Sequence, residues 1–141
     1  MRPARRHFCA VLALGALAGC ATPPLGQKST GLTGKWSPIT AFLGGKPFPL
    51  VTLQGPLLVT DESFEFAGDK GLYRVQAMGR PAQLDIRGIE GRNAGREVAA
   101  IYEVKGDELV VCYQLGAGGR PTEFTSPHGS RILLMRYKRI Q

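Results

Sequence analysis

Short segments of alternating apolar and polar residues, separated by turn residues, dictate what this chain can fold into. From Gly34 onward no long stretch carries the 3.6-residue apolar repeat of an amphipathic helix. Instead, Phe64 and Phe66 fall on one face of their segment and Ser63 and Glu65 on the other. Tyr73, Val75 and Ala77 likewise stand opposite Arg74 and Gln76, and Leu84 and Ile86 opposite Asp85 and Arg87. A period of two buries one face of a strand and leaves the other wet. The pattern predicts strands over residues 35–42, 57–60, 63–67, 72–78, 82–87, 97–104, 108–115 and 131–138. Glycine-bearing turns at 44–47, 68–71, 79–81 and 105–107 and polar loops at 88–96 and 116–130 separate them. The clearest hairpin is 97–104 with 108–115. Its expected inward set is Val98, Ala100, Tyr102 and Val104 facing Leu109, Val111, Tyr113 and Leu115.

Eight strands with short connections suit up-and-down antiparallel order. An open sheet leaves edges, which a closed barrel removes. The expectation is an all-β, eight-stranded antiparallel barrel, with a two-sheet β-sandwich as the alternative. Eight strands enclose an interior that side chains fill or that holds one small ligand.

The first 19 residues read as an address. Arg2, Arg5 and Arg6 precede an apolar run at 8–18, the layout of a secretory signal peptide. The run ends in Leu17-Ala18-Gly19-Cys20, which resembles the lipobox of bacterial lipoproteins. That resemblance implies cleavage before Cys20, a diacylglycerol on its thiol and acylation of the new amine. Arg5-Arg6-His7-Phe8 also resembles a twin-arginine export signal, so the export route stays open. Ala21 in place of Asp implies sorting to the outer membrane if the cell is Gram-negative. The expected organisation is a signal at 1–19, a lipidated Cys20 with a flexible tether at 20–33, and a domain at 34–141, held at the cell envelope.

Removing residues 1–19 takes three arginines and no acid from a chain of net charge +7, leaving +4. A charge that small, spread along the chain, argues against a nucleic-acid partner. The expected partners are the membrane, through the lipid, and a small hydrophobic ligand. Of the three cysteines, Cys9 leaves with the signal and Cys20 becomes a thioether. Cys112 is then the only thiol, and no intramolecular disulfide can form.

Gly34-Lys35-Trp36 at the head of the first strand resembles the first signature of lipocalins, in which the Trp plugs the closed end of the barrel. No Thr-Asp-Tyr-type second signature follows. Residues 95–124 resemble a bacterial domain family first noticed as expanded in planctomycetes. The matching positions are Gly34 and Trp36, Gly45-Lys46-Pro47, Pro81 and Asp85, and Ile101-Tyr102-Glu103. They continue through Gly106-Asp107 and Leu109, Cys112, and Arg120-Pro121 with Glu123-Phe124. The resemblance spans about residues 32–139. It implies a lipocalin-like barrel and no established activity. A cation from Arg136, Lys138 or Arg139 is expected to stack on Trp36, because their strand would pair with the first.

The expected ligand-lining residues are Trp36, Phe64, Phe66, Tyr73, Tyr102 and Tyr113. Arg120 and Glu123, in a long loop at one barrel end, form either a rim pair for a polar headgroup or a lid in which they bind each other and Phe124 tucks in. The class expected from a different direction is an interaction module with a filled core. Catalysis is not expected. Cys112 faces residue 134 if its strand pairs with the last, which puts His128 too far along to share a proton. A hydrolase set of Ser126 or Ser130, His128 and Glu123 lacks the Gly-x-Ser-x-Gly turn. One mature His and one thiol cannot make a structural zinc site, so no metal or cofactor is expected.

Overall fold

The structure, a computed structural model, describes residues 31–141. The signal segment, Cys20 and most of the expected tether lie outside the described residues. Among these residues nine strands form one antiparallel sheet. They are β1 (Gly34–Leu43), β2 (Lys46–Pro47), β3 (Leu57–Val59), β4 (Ser63–Phe66), β5 (Asp69–Gln76), β6 (Ala82–Glu90), β7 (Glu97–Lys105), β8 (Glu108–Gln114) and β9 (Ile132–Ile140). Consecutive strands pair from β3 through β9, and β1 pairs with both β3 and β9. The β1–β9 ladder runs from Lys35 opposite Ile140 to Leu43 opposite Leu133, with a bulge between Pro38 and Thr40. It closes an eight-stranded barrel and excludes the sandwich. β2 is an extra two-residue strand folded back on Phe42 and Leu43.

Alternation decides which residues face inward. The β7–β8 register sets Ala100 opposite Tyr113, Tyr102 opposite Val111 and Val104 opposite Leu109. These residues all join one interior cluster with Val98, Leu84, Ile86, Phe64, Phe66, Leu133, Met135 and Tyr137. The cluster begins earlier than expected. Leu32 is fully buried in it, so the folded unit starts inside the segment read as tether.

Trp36 explains why. It is fully buried, and its indole N–H donates to the carbonyl of Leu32 at 2.9 Å. Arg139, opposite Trp36 in the β1–β9 register, lays its guanidinium 4.1 Å from the ring centroid. The same guanidinium donates to the carbonyls of Thr33 (3.0 Å) and Gly31 (2.7 Å). The incoming chain, Trp36 and Arg139 together plug one end of the barrel. The turns at 60–62, 77–81 and 105–107 lie at this closed end.

Two expected connections shift. β5 begins at Asp69 rather than after Gly71, and β6 runs on to Glu90. Gly71 and Gly88 are therefore strand residues, paired with each other beside a bulge. A Cβ on Gly71 would stand 2.8 Å from the carbonyl oxygen of Arg87, and one on Gly88 would collide with Asn93. Glycine here admits close backbone approach rather than making a turn.

Candidate functional site

The barrel is packed in one half and hollow in the other. Trp36, Leu57, Leu109, Val111, Met135 and Tyr137 are fully buried toward the plugged end. Toward the opposite end a cavity of about 800 Å³ opens. Phe64, Phe66, Ile86, Val98, Tyr113 and Leu133 line its walls. β3 and β4 are only three and four residues long, so the wall beside the upper part of β1 is incomplete. The segment between β2 and β3 spans that gap. Its Phe48 amide donates to the carbonyl of Ala41 at 2.8 Å, and Phe48 and Leu53 line the cavity. A 3-10 turn at Leu50–Thr52 leaves Val51 84% exposed at the tip.

The mouth is polar and mainly cationic. Lys70, Arg92 and Arg96 line it against one carboxylate, Asp69. Asp69 accepts from the backbone amide (3.2 Å) and the side-chain amide (2.8 Å) of Asn93. Those bonds dock the β6–β7 loop onto the start of β5. Gly91, at φ +90°, sits so close to Asp69 that any Cβ there would clash with its carboxylate. Arg96 then reaches across to donate to the carbonyl of Leu115 at 3.0 Å and to the Asn93 side-chain oxygen at 3.4 Å.

Deep in the barrel two tyrosine side chains meet. The hydroxyls of Tyr113 and Tyr137 lie 2.9 Å apart. Phe64 meets Tyr113, and Phe66 meets Tyr137, edge to face with centroids 6.2 and 5.8 Å apart. Burial pushes both phenols well above the ordinary tyrosine range. Either hydroxyl can donate in this pair, and Tyr113 is the one that lines the cavity.

The expected site residues divide. Phe64, Phe66 and Tyr113 line the cavity. Tyr73 packs on the core but sends its hydroxyl to the carbonyl of Thr60 (2.6 Å) at the closed end. Tyr102 borders a separate recess of about 370 Å³ near the 77–81 turn, with Pro81, Ala82 and Phe124. Trp36 is the plug and does not reach the cavity.

Arg120 and Glu123 do not form a rim pair or a lid. The long loop lies along the outer wall, not over the barrel end. Arg120 forms an ion pair with Asp85 and donates to the carbonyls of Leu84 (3.1 Å) and Ala100 (2.9 Å). Glu123 is exposed. Phe124 lies against the recess outside the cavity instead of entering it. Asp85 lies 35 residues from Arg120, a separation that no local pattern reveals. The mouth residues Lys70, Arg92, Asn93 and Arg96 went unremarked in the sequence, where they read as turn and loop.

Cys112 faces Leu134 and is fully buried on the outer side of the wall. Its thiol donates to the carbonyl of Thr125 at 3.2 Å. The serine hydroxyls of the loop are engaged by backbone. Ser126 donates to Ile132 O (2.8 Å) and accepts from the Gly45 amide (3.0 Å), and Ser130 donates to Pro127 O (2.6 Å). Neither bonds His128, which is exposed. Among the described residues no three His, Cys, Asp or Glu side chains gather as metal ligands. No protein-family model, curated protein or solved structure matches the chain.

Proposed function

We propose that the protein is a lipid-anchored envelope lipoprotein whose barrel binds a small apolar or amphiphilic ligand. The hollow half of the barrel carries this reading. A cavity of about 800 Å³ with mainly apolar walls falls within the range typical of small-molecule sites, roughly 300–1,000 Å³. An interaction module needs no such space, because packing its core would stabilise it further. The lipobox-like Leu17-Ala18-Gly19-Cys20 supports the anchor.

Native mass spectrometry of protein purified from its own host tests the carrier role. Co-purifying small molecules are expected. A consistently empty protein would instead favour the interaction module. The anchor has its own test in Cys20→Ala, which should release the protein from membranes; unchanged fractionation would sink the lipoprotein reading.

A further inference from the structure

We infer that the cavity takes a single-chain amphiphile with an anionic head, a carboxylate or a phosphate. Its head would rest on Arg92 and Arg96 at the mouth, with the tail in the barrel. This rests on the ligand-binding reading above and adds the chemistry of the head.

Charge balance carries the inference. The ion pairs among the described residues are Lys105 with Glu103 and Arg120 with Asp85, and neither lies at the mouth. Asp69, the carboxylate that lines the mouth, is fixed by the amides of Asn93 and keeps its charge, so Arg92 and Arg96 outnumber it two to one. Arg96 is held by neutral oxygens, which fix its position and leave its charge uncompensated. Lys70 stands opposite Glu65 and Glu90 on the outer face of the sheet, so its side chain is turned away from the interior. The arginines are therefore the main contributors. Cations rimming a low-dielectric cavity focus their field on its opening, and a guanidinium fits a carboxylate or phosphate through paired N–H donors. A neutral ligand would gain nothing from this arrangement.

The test uses the full chain in phosphatidylcholine nanodiscs and energy transfer from Trp36, its only tryptophan. Three probes share one tail: dansylaminoundecanoate, the corresponding terminal alcohol and the corresponding terminal phosphate. Both anions should bind at least about tenfold more tightly than the alcohol, and added salt should erode only that advantage. Combining Arg92→Gln with Arg96→Gln should remove the preference and leave alcohol binding intact. Arg96→Lys, which keeps the charge, should retain most of it. A stronger response to carboxylate points to free fatty acids, and a stronger response to phosphate to phospholipid-derived ligands. Equal affinity for all three probes overturns the anionic head and leaves a neutral-ligand site. Parallel loss of alcohol binding in the double variant also overturns it, because the arginines would then act on cavity shape. No transfer from any probe overturns ligand binding itself.

Discussion

At the scale of single residues, Arg139 has the most to do. It stacks on Trp36 and holds two carbonyls of the entering chain. Arg139→Gln should cost about 1–3 kcal/mol in urea unfolding and shift Trp36 emission to the red, because the plug loses both its cation and its caps. Arg136 and Lys138 are exposed, so their replacement by Gln should change neither reading. An unchanged spectrum in Arg139→Gln would remove the stacking from the account. Cys112 makes a different case. Burial pushes its thiol up from 9.0 to about 11. At neutral pH it stays protonated, so it should react with thiol reagents at least about tenfold more slowly than a free cysteine. The sign of the linkage follows. Between about 9 and 11 the unfolded chain releases this proton and the folded chain keeps it, so stability falls as pH rises through that window. Cys112→Ala should remove that part of the alkaline slope in urea midpoints. A slope identical to wild type would show that the thiol does not titrate as its burial implies.

At the scale of elements, the segment between β8 and β9 is a strap. Arg120 crosses from it to the β6–β7 wall and replaces the water those two carbonyls and Asp85 would otherwise need. Arg120→Ala should destabilise by about 2–4 kcal/mol and open residues 116–130 to limited proteolysis. Arg120→Lys should not rescue, since one guanidinium nitrogen bonds both carbonyls while the other reaches Asp85, and lysine has a single nitrogen. Resistance to protease in Arg120→Ala would mean that Pro121, Phe124 and the Ser126 bonds hold the strap alone. These elements differ in how far the sequence discloses them. The strands were legible because each exposes one face, and the inward sets of β7, β8 and β9 followed from counting by two. β2 was not, because two residues carry no alternation. Gly71 and Gly88 misled for a physical reason: a missing Cβ looks the same in a turn and in a strand under a crossing loop. The candidate site was half legible. Its apolar walls follow from alternation, whereas its cationic mouth depends on a loop docked by Asp69 and Asn93, 24 residues apart. The strap hid its purpose in the same way, through partners far along the chain.

At the scale of the whole molecule, the barrel divides its two tasks by height. The packed half should carry the stability. Leu109→Ala, where the side chain is fully buried, should cost about 2–5 kcal/mol. Leu133→Ala, on the cavity wall, should cost about 1 kcal/mol, since part of its surface already lacks a partner. Chemical denaturation of the two variants checks the contrast, and equal losses would mean that the upper half is as tightly packed as the lower. Both ends of the described chain lie at the plugged end, where Lys35 pairs with Ile140 and Arg139 reaches Gly31. Both attachment points therefore sit at the base of the cup, at the end opposite its brim. The same proximity makes the fold a candidate for rewiring. A short linker from Gln141 to Gly31 could close the chain, and new ends could then be cut in the brim loops without breaking a single rung of the barrel.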